Sequence, residues 1–177
     1  MSAKTILEIR PGLRLRDWQH GDEDAIVEHG NDVEVSRWLR DRFPSPYTLQ
    51  DARGWIMMNQ DVLPTANFAI ELDGSPVGGA GIVFGEDIHR FTAEVGYWVG
   101  RSAWGQNIAT EALRALCAYA FGRLRLVRLH ASVFAGNIAS ARVLEKCGFA
   151  CEGTRRKAGF KRGFHFDTHE YARIADE

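Results

Sequence analysis

Ala109, Ala112, Leu113, Leu116, Cys117 and Ala120 fall at i, i+3, i+4, i+7, i+8 and i+11. That is one continuous apolar stripe, which an α-helix with a single buried face satisfies. Just before it, Ala93, Val95, Tyr97 and Val99 alternate against Glu94 and Trp98, the period of a half-buried strand. A strand, a short glycine-bearing connection and an amphipathic helix therefore stand in series. The rest of the chain has to cover one face of each.

The flanking segments fit that demand. Leu13, Leu15 and Trp18 follow Pro11-Gly12 as an opening strand, and residues 22–30 and 33–40 read as two short helices. Thr48 and Asp51 form a capping-box-like start for a helix reaching Asn59, since a side-chain oxygen there satisfies free N–H groups. Residues 67–72 and 77–84 read as strands about the Asp73-Gly74 turn. Gly122 is the expected stop of the long helix. A strand over 127–134, a helix over 137–146 ended by Gly148, a strand from Phe149 and strand-like alternation over 163–174 complete the order. The expectation is a mixed α/β fold, a sheet covered by helices.

At 177 residues, with 45% hydrophobic and 25% charged residues, one domain over 1–177 is the first expectation. The net charge of −1 argues against a dedicated nucleic-acid binder. No apolar run approaches the roughly 20 residues of a membrane span. The N-terminus lacks a secretory pattern, so a cytoplasmic location is expected. Cys117, Cys147 and Cys151 read as free thiols.

The chemistry gathers where the strand meets the helix. A helix start offers N–H groups without internal partners and the positive end of the macrodipole, together an anion site of pyrophosphate size. Gly105 lets backbone come close, Asn107 tolerates unusual backbone angles, and Thr110 adds a hydroxyl. A strand–glycine–helix turn alone is more often a plain connection. With no GKS or GKT and no full GxGxxG, neither a P-loop nor a dinucleotide site is expected.

The run Trp104-Gly105-Gln106-Asn107-Ile108-Ala109-Thr110-Glu111-Ala112-Leu113 resembles the coenzyme A loop of the GNAT superfamily of N-acetyltransferases, usually Q/R-x-x-G-x-G/A. It is most similar to the RimJ/RimL-like branch, which acetylates protein N-termini and other amines and often reads WGxGxATEAL. Asn107 stands where Gly or Ala is usual and Ser102 where Gln or Arg is usual; altered affinity rather than loss is expected. Residues 137–149, from Asn137 through Ser140 to Phe149, resemble the family's NxxSxrvxEKxGF segment, and the opening, middle and closing strands are also similar.

The resemblance implies a GNAT-like acyltransferase fold with a mostly antiparallel central sheet flanked by helices. It also implies acetyl-CoA as co-substrate, direct attack by a primary amine in a ternary complex, and a protein N-terminal α-amine before a small-molecule amine as acceptor. Tyr97, Trp98 and Val99 are expected to hold the pantetheine arm and polarise the thioester, with Trp104, Gly105, Gln106, Asn107, Ile108, Ala109 and Thr110 on the pyrophosphate. Asn137 and Ser140 fall near the sulfur.

Amide formation needs a neutral amine, and an α-amine titrates near ~8, so a base helps. Glu94 is the candidate base, with Glu28 and His130 as weaker substitutes. Ser140 is the candidate donor to the leaving sulfur, with Tyr171 and Tyr97 as alternatives. Asn137 is equally a helix N-cap. His165 and His169, four apart on a strand, lie roughly 13 Å from each other, too far to share an ion, and no metal is expected.

Arg155, Arg156, Lys157, Lys161 and Arg162 read as a solvated basic loop, or as a contact for an acidic acceptor or coenzyme phosphate. Two competing readings are a catalytically weak acyl-CoA-binding module and an RNA- or ribosome-binding protein. Trp18, Trp38, Phe43, Trp55 and Phe84 serve equally as acceptor-pocket lining or as core. Monomer and homodimer stay open, and no membrane partner is expected.

Overall fold

A computed structural model describes residues 5–60 and 62–175. The chain divides into two compact units. One takes the described residues through Gly81 together with Tyr97–Leu116, and the other takes Ile82–Gly96 and the described residues from Cys117 onward.

The first unit opens with a hairpin of β1 (Ile6–Arg10) and β2 (Leu13–Asp17). Leu13 and Leu15 are fully buried, and β2 pairs antiparallel with β3 (Asn67–Leu72), setting Leu15 opposite Ile70. β3 pairs antiparallel with β4 (Ser75–Phe84), across a turn in which Asp73 and Gly74 both have positive φ.

Arg16 is buried on β2, where its guanidinium meets Glu71 and holds Asp22 at 2.7 and 2.9 Å. Burial alone would lower the Arg16 pKa, but the two carboxylates outweigh it and raise it. A buried charge needs such partners, and these tie β2 and β3 to the start of α1 (Glu23–Gly30).

α2 covers only Val33–Ser36 rather than 33–40. Trp38 and Leu39 donate to the carbonyls of Val35 and Ser36, so the backbone tightens into i→i−3 turns there. α3 (Leu49–Asn59) starts with the expected capping box, Asp51 N–H on Thr48 Oγ1 at 3.2 Å and Thr48 N–H on Asp51 at 2.9 Å. Trp18, Ile26, Tyr47, Ala52, Ile56 and Ala69 form the core between these helices and strands, with Phe43, Trp55 and Trp98 packed against it.

β5 (Thr92–Val99) and α4 (Ile108–Gly122) each run from one unit into the other. Gly122 is the last residue of α4 rather than the first one after it. The chain turns at Arg125, in the left-handed region at φ 57°, with Leu126 N–H reaching back to the Ala120 carbonyl.

In the second unit β6 (Arg128–Phe134) runs parallel to β5 and antiparallel to β8 (Phe164–Ile174). β7 (Ala150–Lys161) is the outer partner of β8. α5 (Ile138–Lys146) connects β6 to β7 and ends at Gly148, φ 82°. The basic run is thus not a loop: Arg155, Arg156, Lys157 and Lys161 lie in a strand, because β8 supplies an antiparallel partner through Lys161–Phe164. The strand order is β1-β2-β3-β4-β5-β6-β8-β7, mixed and mostly antiparallel as expected. No helix among the described residues is long and apolar enough to cross a membrane.

Candidate active site

β5 ends in a tightly fixed corner. Gly100 N–H donates to Val77 C=O at 2.7 Å, and a Cβ on Gly100 would lie 2.6 Å from the ring Cγ and Nδ1 of His29. Only glycine fits against that imidazole. A 3₁₀ turn over Arg101–Ala103 follows, closed by Ala103 N–H on Gly100 C=O at 3.0 Å and Trp104 N–H on Arg101 C=O at 3.1 Å. The Trp104 indole folds back and donates to Val99 C=O at 2.7 Å, while Gln106 reaches the Ser102 carbonyl at 3.4 Å.

The next turn carries two left-handed residues, Gly105 at φ 75° and Asn107 at φ 61°. A Cβ on Gly105 would meet no atom within 4 Å. Glycine is required there by the dihedral and not by lack of room, and the space over it is open. The helical ladder of α4 starts with Glu111 N–H on Asn107 C=O at 3.1 Å, so the amides of Ile108 and Ala109 precede the first i→i−4 bond. Ile108 and Thr110 are buried and anchor the helix start, whereas Gly105, Gln106 and Asn107 are exposed. Glu111, in the first turn, is held by Arg10 of β1 at 2.8 Å.

Tyr97 and Trp98 are half-buried and Val99 is buried. Trp98 lies against β4, where a Cβ on Gly79 would come within 2.8 Å of its Nε1, and one on Gly78 would collide with its carbonyl oxygen. The adjacent glycines bring β4 close to β5. Their signal in the sequence is glycine within a strand pattern, a mark of close backbone approach. Phe43 closes on the Trp98 ring at 5.5 Å. Trp18, Phe43 and Trp55 therefore belong to the core cluster, while Trp38 sits under the Arg37 guanidinium at 4.7 Å. His29 and Arg10 are the contributors at this end that periodicity does not point to, and Glu28 is exposed on α1.

Glu94, Asn137 and Ser140 belong to the second unit. Glu94 is half-buried opposite His130, where the parallel register of β5 with β6 ends. Asn137 caps α5, its Oδ1 accepting from Ser140 N–H at 3.2 Å, and Ser140 is half-buried. Tyr171 is buried and donates to Glu145 at 3.2 Å. Burial, then the Glu145 charge, raises its pKa, so the proton stays on the phenol oxygen, which donates it in the hydrogen bond to that carboxylate. Burial likewise pushes the Cys117 thiol up to about 12. Cys147 is buried too, Cys151 is exposed, and none of the three is joined in a disulfide. His165 and His169 each face a different partner, the Phe160 ring at 5.0 Å and Thr154 at 2.9 Å.

A sequence profile of the acetyltransferase (GNAT) domain matches residues 12–150. The chain belongs to the GNAT acetyltransferase family. An uncharacterized N-acetyltransferase, p20 of Bacillus licheniformis, is 28% identical over 171 residues, covering 93% of this chain and 94% of that protein. The ribosomal-protein-serine acetyltransferase of Escherichia coli K12 is 36% identical over 85 residues, 48% of this chain. A solved structure of RimL, a ribosomal L7/L12 α-N-protein acetyltransferase in complex with coenzyme A, shares the fold at TM-score 0.86 with 23% identity, covering 97% of this chain and 99% of that one. The GNAT protein is accordingly an N-acetyltransferase, and its likeness is to the RimJ/RimL-like branch.

Proposed function

We propose that this acetyltransferase moves the acetyl group of acetyl-CoA directly onto a primary amine, a protein N-terminal α-amine before a small-molecule amine. The observation that carries the reading is the paired left-handed turn at Gly105 and Asn107 ahead of α4. With open space over Gly105 and exposed backbone through Asn107, the residues fit a pyrophosphate. Amides from 105 to 110 would bind it, helped by the helix dipole. The backbone of Tyr97, Trp98 and Val99 would hold the pantetheine arm and polarise the thioester carbonyl.

Glu94 takes the proton from the attacking amine, directly or through water, and Ser140 donates to the departing sulfur. Asn137 keeps Ser140 in place through the cap and offers its amide N–H₂ to the ligand. The preference for an α-amine draws on the similarity to the Escherichia coli ribosomal-protein-serine acetyltransferase and on the fold shared with RimL, an α-N-protein acetyltransferase.

A thiol-release assay with acetyl-CoA tests the reading against an amine panel. The panel holds a peptide with a free N-terminal serine, the same peptide with a blocked N-terminus and an internal lysine, and a polyamine. Turnover should be fastest on the free N-terminus. Glu94→Gln and Ser140→Ala should each lower kcat tenfold or more, about 1.4 kcal/mol of transition-state stabilisation. Full rates in both variants would overturn the residue roles, and faster turnover on the blocked peptide would overturn the acceptor.

A further inference from the structure

β7 is the outermost strand of its unit, and with β8 it forms a hairpin arm ending at Lys161–Phe164. Residues 153–166 hold five of the chain's 22 Lys and Arg and none of its 23 Asp and Glu. The remainder carries a clear acidic excess, so the two signs are separated along the chain. Arg155, Arg156, Lys157 and Arg162 are exposed. The carboxylates nearby are engaged elsewhere. Asp167 accepts the backbone N–H of Lys157 at 2.7 Å. Glu170 accepts from Ser132 and Thr168 at 2.8 and 2.9 Å and meets Arg155 only at 3.9 Å, while Glu152 pairs with Arg128.

Three phenylalanines stand on this arm, and they divide sharply. Phe166 packs on Phe134 with ring centroids 4.1 Å apart, and its ring fills the space over Gly159. Phe160 and Phe164 are 60% and 76% exposed. They sit at successive register positions, Phe160 opposite His165 and Lys161 opposite Phe164, which puts one ring on each face of the hairpin. The Phe160 ring has the His165 imidazole beside it at 5.0 Å. Folding needs neither exposed ring.

We propose that the β7–β8 arm binds single-stranded RNA, with its cationic side chains on phosphates and Phe160 and Phe164 stacking on bases. An acidic polypeptide would answer the charge but has no use for two flat apolar rings set among cations. Unpaired RNA answers both, because splayed bases stack on aromatic side chains while the backbone follows basic groups. A paired helix keeps its base faces covered.

The test is fluorescence anisotropy with a labelled single-stranded RNA of about 12 nucleotides, within the site sizes known for stacking grooves. The full chain is used, with single-stranded DNA, duplex RNA and polyglutamate as parallel probes. Binding to the single strands should be tighter than to duplex or polyglutamate, with RNA ahead of DNA. Phe160→Ala with Phe164→Ala should weaken RNA binding at least tenfold without altering charge. Arg155→Gln, Arg156→Gln and Lys157→Gln together should flatten the plot of log K against log salt by about 2, at ~0.7 per phosphate contact. Both variants should keep wild-type circular dichroism and the same rate on a small amine, which separates this surface from the acetyl-transfer site. Unchanged affinity in the phenylalanine variant, equal binding of polyglutamate, or no binding at low salt would each overturn the proposal.

Discussion

Two helices in this protein are entered through an asparagine, and the two asparagines do different work. At α5, Asn137 sits at φ −88° and spends its side chain on Ser140 N–H. At α4, Asn107 sits at φ 61° and follows a glycine at φ 75°, and its carbonyl accepts the first helical bond. α5 has no acidic residue in its first turn, whereas α4 carries Glu111, restrained by Arg10. The α5 entry is closed upon itself, a cap in the ordinary sense. The α4 entry is shaped by unusual backbone angles and leaves its exposed turn facing outward. The same residue type at a helix start is thus a side-chain cap in one place and part of a backbone-shaped candidate anion cradle in the other.

The sharpest way to break that contrast is Gly105→Val. The left-handed region costs an L-residue roughly 1–2 kcal/mol, more for a β-branched one, and the new side chain would enter the open space above the turn. KM for acetyl-CoA should rise tenfold or more, with the greater part of the folding stability retained. Asn107 comes next. Asn107→Val carries the same dihedral penalty and should raise KM by a factor of about 5–10, whereas Asn107→Gly should match or improve on the parent because glycine accepts positive φ freely. If glycine and valine at 107 behaved alike in coenzyme titrations, the backbone account of α4 would be wrong.

The α4 stripe was legible because burying one helix face leaves a periodic trace, and Leu113 and Leu116 are fully buried as that trace requires. The Thr48 and Asn137 caps were legible because the capping interaction spans three residues. Gly105 and Asn107 were legible as positions of backbone freedom, since those residue types adopt positive φ most readily. β1 was missed because its alternation is weak and both its faces are partly exposed. The placement of Arg155 in a strand was missed because charged, glycine-bearing sequence resembles a loop until its partner strand is known. His29 against Gly100 and Arg10 against Glu111 are contacts between distant parts of the chain, and no local pattern encodes them. The candidate site was therefore readable in its local turn and unreadable in the side chains that brace it.

The closed entry can be tested by removing its cap. Asn137→Ala should cost about 1 kcal/mol, seen as a Tm lower by roughly 2–4 °C for a chain of this size. Asn137→Asp restores an acceptor for Ser140 N–H and should recover the stability. Turnover discriminates further: recovery in the aspartate variant would mean that capping is all Asn137 does, whereas loss that persists would place its amide N–H₂ on the ligand.

The smallest effect concerns Arg10. A carboxylate in the first turn suits the helix dipole, but at α4 it would also oppose an anionic ligand bound to the same amides, and Arg10 offsets that charge. Its side chain is 39% exposed and that of Glu111 26%, so the pair adds little to stability, within the ~0.2–1 kcal/mol of exposed ion pairs. Arg10→Ala should leave Tm nearly unchanged and raise KM for acetyl-CoA about twofold at low salt, on the order of 0.4 kcal/mol. The effect should shrink as salt screens the freed carboxylate. Adding Glu111→Gln in that background removes the charge itself and should return KM to the parent value. A KM rise that survives in the double variant would show that Arg10 touches the coenzyme directly, and a Tm loss without any KM change would reduce the pair to packing between β1 and α4.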